Sequence, residues 1–431
     1  MILKKMQINN KHIYIVFFSI IFIFFAKIFY QSTQNIIGGG WAFNELFINY
    51  SGGLIRRGLL GELFLITNNN FNTSPLIFFA VIFIFLHSIL LILYYKILKN
   101  FKDLGILFIP ILFSPVLIFF PIYENDVYYV KDILTNLSIL LHVFYITKNK
   151  KNFEFIRYKN FLTFVLIPLI IFNLFNHENQ FFFISVHFFI SVYVSKNNYE
   201  KNTKSIYKSY LILLLPVLIV IFTQGSWEKL SAINESIERF GASINPQLAG
   251  NINLAIGGFI KWHFFFHSID SFINFFICII LSVGIIYFLF GYLINKKILI
   301  LKSNIKINYL YFFIPSLGLF IFALDYGRNL NLIATHLIAF YSILNFDNKK
   351  LKTFNSDIKS KFISYRLIIL FTIFYCFMWY LPQGSGYSGI ADFTSDSSIF
   401  KSTLLNEFKE IFMIIFNFID NNFFNLPKII V

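Results

Sequence analysis

Polar and apolar positions alternate along this chain on the scale of a bilayer, not of a helical turn. Runs of Phe, Ile and Leu are separated by short polar stretches, and a spanning helix needs roughly 20 such residues. The runs cover 13–30, 76–95, 104–122, 133–147, two within 161–195, 210–223, 270–294, two within 307–346, and 365–381. They predict an all-α fold, a polytopic transmembrane helix bundle of about 11 spans. A last apolar stretch, 399–419, carries Lys401, Glu407, Lys409 and Glu410 and reads as a helix lying in the membrane interface. No internal repeat or soluble domain interrupts the series, so 1–431 reads as a single membrane domain.

The intervening stretches fall into two alternating sets. One set is crowded with lysine and holds 25 of the 36 Lys+Arg, while the other holds or adjoins 16 of the 21 Asp+Glu. Lysine-rich short loops stay in the cytoplasm. The N-terminus is therefore expected inside and the C-terminus outside. The outer segments become 31–75, 123–132, 176–180, 224–269, 325–329 and 383–431. The first run is long and has no small-residue cleavage site before Gln31, so it reads as a retained helix and not a signal peptide. The expected location is the plasma (inner) membrane.

Composition supports this class. Hydrophobic residues make up 57% of the chain and charged residues 13%, against about a quarter charged in soluble domains. The 61 Phe, with abundant Ile, Asn and Lys, also reflect an AT-rich coding bias. The net charge of +15 lies in loops between spans and in no basic domain, which argues against a nucleic-acid partner. Cys278 and Cys376 sit inside apolar runs, so neither a disulfide framework nor a thiolate metal site is expected.

Candidate chemistry collects in the outer set. The first segment contains Glu45 and then Tyr50-Ser-Gly-Gly-Leu-Ile-Arg-Arg-Gly-Leu-Leu-Gly-Glu62. Gly52-Gly53 predicts a break and a helix from near Leu54, on which Arg57 and Gly61 share a face. Arg56 and Arg57 offer planar forks suited to phosphate. The competing reading is an interfacial helix whose arginines snorkel to headgroups. Glu124, Asp126 and Asp132 near Lys131 end a span; paired carboxylates suit a divalent cation or a general base, or simply a solvated loop.

Asn176-His-Glu-Asn-Gln180 gains weight from counting. The residues between Lys159 and Lys196 are nearly all used by two spans, so His177 and Glu178 sit at or just below the outer boundary. Ionisable groups there are costly and usually functional, and burial raises a carboxylate's pKa. Asp325 and Arg328 are three apart, either a structural ion pair or an acid orienting an arginine toward phosphate. In 224–269, His263 and His267 have metal-ligand spacing, but no carboxylate completes a zinc pattern. Trp262 reads as part of an interfacial belt or a platform for a sugar ring. His87, His142, His187 and His336 lie singly within spans and read as packing histidines.

With acids and arginines gathered on one face of many helices, the chain resembles polytopic enzymes of bacterial envelope-glycan assembly. These are GT-C-type glycosyltransferases using lipid-linked sugars, and O-antigen or capsule repeat-unit polymerases. The resemblance covers the whole chain as architecture. It implies a polyprenyl-phosphate-linked glycan substrate in the outer leaflet among membrane lipids. It also implies catalysis by Glu178, Glu45, Asp126 and His177, and phosphate binding by Arg56, Arg57 and Arg328, with Asp325, Glu62 and Lys131 in support. No resident metal or cofactor is implied beyond a possible divalent cation. A transporter or flippase for lipid-linked glycan, or a membrane scaffold, is the alternative expectation.

Overall fold

The computed structural model describes residues 18–19, 21–22, 41–123, 128–198, 203–223, 225–244, 276–300, 326–360, 362–377 and 381. These are mostly helical, because in a bilayer only a helix satisfies its backbone polar groups within one segment. In chain order they form α1 (Trp41–Glu45), α2 (Leu59–Phe71), α3 (Pro75–Leu98), α4 (Phe108–Leu112), α5 (Phe120–Tyr123) and α6 (Asp132–Lys148). Next come α7 (Phe155–Asn176), α8 (Asn179–Asn198), α9 (Thr203–Phe222), α10 (Trp227–Ile237) and α11 (Phe276–Asn295). The last are α12 (Tyr326–Ser342), α13 (Asn348–Ser360) and α14 (Phe362–Phe377). Two short strands, β1 (Leu299–Ile300) and β2 (Asn345–Phe346), pair antiparallel.

Among the described residues four helices are long and apolar enough to cross a membrane: α3 with its extension to Gly105, α7, α9 and α11. The run expected at 104–122 is not one helix. A tight turn with Gly105 at φ 64° leads into α4, and α5 begins only at Phe120. Pro110, Pro115 and Pro121 each lack the N–H a continuous helix would need. The stretch 399–419 and the span expected at 307–325 lie outside the described residues.

The centre of the bundle is α6 with α12. All of 327–342 in α12 and 12 of the 17 residues of α6 are buried, including Asn136, Ser138, His142, Asn331, Thr335 and His336. α6 packs against α3, α7, α8 and α12. Many of the apolar side chains left exposed, such as Phe85, Phe164, Leu215 and Phe288, belong to the surrounding α3, α7, α9 and α11. That is the expected pattern where lipid is the outer solvent.

The two ends differ. At one end, Lys150 Nζ donates to the Leu344 carbonyl (2.9 Å), Asn355 Nδ2 donates to the Asp103 carbonyl (2.9 Å), and β1 pairs with β2. Lysine-rich segments therefore meet there. At the other end, the chain before α2, the residues leading into α6, the α7–α8 turn and the start of α12 converge.

Candidate functional site

At that second end a short stretch of chain is held very tightly. Phe43 and Phe47 pack edge-on against Phe79, and Phe47 against Phe64, anchoring α1 and the residues after it. Gly61 in α2 lies against the Ile48 carbonyl, where a Cβ would overlap backbone. The side chain of Asn176, ending α7, accepts the Leu60 N–H (2.9 Å) and so caps α2 from outside. Glu62 accepts the Tyr50 N–H (3.0 Å). α10 lies over this segment: Lys229 Nζ donates to the Leu54 carbonyl (3.0 Å), and Asn49 donates to Ser236 (3.0 Å).

Between these anchors Arg57 adopts φ 69°, the left-handed region uncommon for a residue with a Cβ. The helix expected from Leu54 begins instead at Leu59, so Arg57 and Gly61 do not share a helical face. Gly61 serves close packing, and Arg57 is turned inward. Lys131 holds that conformation by donating to the carbonyls of Arg57 (2.8 Å) and Glu45 (3.0 Å).

Arg57 joins two acids. Its Nε donates to Glu178 Oε2 (2.7 Å), a second fork nitrogen donates to Glu178 Oε1, and Nη1 donates to Glu45 Oε1 (3.0 Å). Arg56 Nη1 stands 3.9 Å from Glu178 Oε1, and its buried Nε has no hydrogen-bond partner among the described residues. Across the site, Arg328 Nε donates to Asp132 Oδ2 (2.7 Å), and Asn179 Nδ2 donates to Asp132 Oδ1 (2.9 Å).

His177 lies between the halves, its Nε2 3.9 Å from Glu45 and 3.8 Å from Asp132. Its Nδ1 is 3.2 Å from the Asn179 N–H and its Nε2 3.2 Å from Arg328 Nη2. A neutral imidazole accepts at one nitrogen only, so these two contacts belong to alternative tautomers.

The charge balance is uneven. Among the described residues, Arg56, Arg57, Lys131 and Arg328 face Glu45, Asp132 and Glu178, an excess of one positive charge with His177 neutral. Burial pushes His177 toward the neutral ring against the pull of Asp132. Burial also lowers the Lys131 ammonium to about 8, although Glu45 acts the other way. For Glu178 burial alone would raise the carboxyl, as expected from its depth. Arg57 and Arg56 reverse the sign and hold it well below the ordinary range. Glu45 and Asp132 follow the same logic, held low against burial chiefly by Arg57 and Arg328 respectively.

The structure thus brings together Glu45, Arg56, Arg57, Lys131, His177, Glu178 and Arg328. Glu62 supports the loop and does not touch the ion cluster. Asp126, with Glu124, and Asp325 lie outside the described residues, as do His263 and His267. The acid shown orienting Arg328 is Asp132. Sequence reasoning placed Asp132 in a polar segment without a role, and passed over Asn179 and Asn176. All three adjoin residues it had singled out. Among the described residues no group of three or more His, Cys, Asp or Glu is arranged to hold a metal ion.

Beside the Asp132–Arg328 pair opens a small cavity of about 30 Å³. Leu90, Leu117, Ile118, Phe120, Val130 and Ile133 supply its apolar wall, and Asp132, Arg328 and Asn331 its polar one. No protein-family model, no curated protein and no solved structure matches this chain.

Proposed function

We propose that this protein is a plasma-membrane glycosyltransferase or glycan polymerase acting on polyprenyl-phosphate-linked sugars at the outer face, in cell-envelope polysaccharide assembly. The reading takes about 11 spans, with the ionic end outside. One observation carries it: among the described residues, an ion cluster with one cation in excess, an Arg56 Nε without a hydrogen-bond partner, and a small, mostly apolar cavity next to Arg328. That combination suits a ligand with an anionic head and a hydrocarbon chain. Guanidinium forks are the groups best matched to a phosphate.

The chemistry follows from competition for the arginines. A phosphate taken up by Arg56 and Arg57 displaces Glu178 from its counter-charges. Glu178 is then left buried without them, and its pKa rises toward that of a working general base. It accepts the proton of the acceptor hydroxyl as that oxygen bonds to the sugar's anomeric carbon. The bond from that carbon to the phosphate oxygen breaks. The charge left on the phosphate is stabilised by Arg56, Arg57 and Arg328. Glu45 stays on Arg57 and keeps the fork oriented, while His177 bridges the two halves.

Transport of a lipid-linked glycan is the second reading. It is favoured by polar pairs at mid-bundle, Asn136 to Asn331 (3.0 Å) and His142 to His187 (3.1 Å). Detergent micelles separate the two, because transfer needs no sealed compartment and transport does. Purified protein should transfer sugar from a polyprenyl-phosphate donor in micelles. Arg56→Ala, Arg57→Ala and Glu178→Gln should each slow it about 10²–10³-fold. Normal rates in all three would end the enzyme reading.

A further inference from the structure

We propose that the lysine-rich end of the bundle holds a binding site for an anionic phospholipid, formed where α3, α11 and α13 meet. Ring contacts and hydrogen bonds lock these three segments together. Phe101, in the turn after α3, packs against Phe290 of α11 with ring centres 5.2 Å apart, and against Phe346 of β2 at 6.3 Å. Tyr292 of α11 lies 6.0 Å from Phe354 of α13. The Asp347 N–H, just before α13, donates to the Ile298 carbonyl (2.8 Å), which follows α11. The bond from Asn355 to the Asp103 carbonyl ties α13 to the turn after α3.

The charge gathered there is one-sided. Residues 96–103, 295–300 and 345–357 hold eight lysines against three acids. All eight lysines are exposed. Among the described residues none of them forms an ion pair with an acid. Asp347 is committed to the start of α13, where its carboxylate accepts the N–H groups of Lys349 (3.0 Å) and Lys350 (3.2 Å). Lysines at span ends are the rule for cytoplasmic loops. What is particular here is their convergence from three segments far apart in sequence. Like charges held close repel, so the cluster gains most from a ligand that brings negative charge to several of them at once.

The apolar neighbours identify what carries that charge. On α11, Phe288, Tyr292 and Lys296 follow at four-residue intervals and form one column. Both aromatic side chains are exposed, and Lys296 Nζ stands 5.8 Å from the Tyr292 ring centre. On α3, Phe85, Ile92, Lys96 and Lys99 share a face by the same periodicity, and Phe85 and Ile92 are exposed. Each column passes from exposed hydrocarbon to ammonium within about one turn, roughly 5.4 Å. A phospholipid presents the same order, acyl chain and then phosphate. On α13, Leu351 is buried and Phe354 and Ile358 half-buried, while Lys349, Lys350 and Lys352 are exposed. That is the pattern of a helix lying in the membrane interface. A soluble acidic partner would engage the lysines and leave Ile92, Phe288 and Tyr292 unused.

The test uses the full-length protein in dodecylmaltoside micelles with equal amounts of phosphatidylglycerol and phosphatidylcholine of the same acyl chains. Native mass spectrometry counts the lipid retained. Wild type should retain phosphatidylglycerol at least about tenfold over phosphatidylcholine, since each lysine near an anionic headgroup contributes about fivefold. Lys296→Gln, Lys349→Gln and Lys352→Gln combined should abolish that preference, and arginine at the same three positions should keep it. Lys196→Gln, Lys204→Gln and Lys208→Gln combined remove the same charge from exposed lysines on α8 and α9, and should also keep it. A second measurement needs no variant. Raising ammonium acetate from about 0.1 M to about 1 M shortens screening from about 10 Å to about 3 Å and should release phosphatidylglycerol selectively. Equal retention of the two lipids by wild type overturns the proposal and leaves the lysines to an acidic protein partner or to solvent. Undiminished preference in the site variant overturns it as well, and so does an equal loss in the α8–α9 variant. The assay involves no glycosyl transfer, so its failure leaves the enzyme reading standing, and the reverse holds.

Discussion

The contact between Arg57 and Glu178 permits a quantitative test that is independent of function. Arg57 engages Glu178 through two nitrogens and Glu45 through a third, and the side chains are 17%, 18% and 2% exposed. Solvent therefore screens the group little. Arg57→Ala leaves two buried carboxylates without their main counter-charge. Breaking a buried pair from one side costs about 3–5 kcal/mol. Glu178→Gln keeps the shape and an acceptor while Arg57 retains Glu45, so about 1.5–3 kcal/mol is expected for the lost charged hydrogen bonds. In the double variant Glu178 no longer strands a charge, so the penalties do not add. The double-mutant cycle should return a coupling of about 2 kcal/mol, within the usual range for contacting residues. The assay is unfolding by dodecyl sulfate in mixed micelles, followed by circular dichroism. A coupling below about 0.5 kcal/mol, the value of an exposed ion pair, would refute the claim that this cluster is a buried electrostatic unit.

Other outcomes follow from the same geometry. The Lys131 pKa lies near 8 in the fold against 10.5 in the free side chain. The folded state thus binds fewer protons across that window, and stability should rise with pH from about 8 to 10.5, by up to about 3 kcal/mol. Lys131→Met should flatten that rise, and a wild-type midpoint independent of pH would contradict it. Gly61→Ala, which forces a methyl into the Ile48 carbonyl, should destabilise by about 1–3 kcal/mol in the same unfolding assay. Reporter fusions after Lys150, Lys201 and Lys350 should read cytoplasmic, and fusions near Asn125, Ser236 and Ser388 should read external; an internal signal at Ser236 would reverse the sidedness.

The helical class and the sorting of charged segments to two ends were legible because both depend on local sequence: run length and loop composition. Counting residues between Lys159 and Lys196 located the His177–Glu178 turn correctly, since two helices leave no slack there. What sequence missed was pairing between distant segments. Asp325, three residues from Arg328, lies outside the described residues, and Asp132 reaches Arg328 from another helix, a contact that no spacing along one helix could show. Burial was read correctly for Glu178, but the sign of its pKa shift depended on Arg57, which a positive φ turns inward. No periodicity encodes a left-handed residue in a segment that otherwise looks helical. Likewise His142 and His187 looked solitary because the contact between them is made only when α6 and α8 pack side by side.

The Asp132–Arg328 pair also constrains how the molecule is made. Its members are 196 residues apart, and chains grow at about 5–20 residues per second. After Asp132 leaves the ribosome, some ten to forty seconds pass before its guanidinium partner exists. During that interval α6 carries, at its leading end, an acid destined for the bundle interior. It must wait either protonated or at the water boundary, because a bare carboxylate is not stable in the core. If it waits at the water boundary, α6 reaches its final depth only when α12 arrives; if it waits protonated, the acid ionises only then. A chain that stalls before α12 keeps an unmatched acid at the site end of α6, a defect by which membrane proteases can tell unfinished molecules from complete ones.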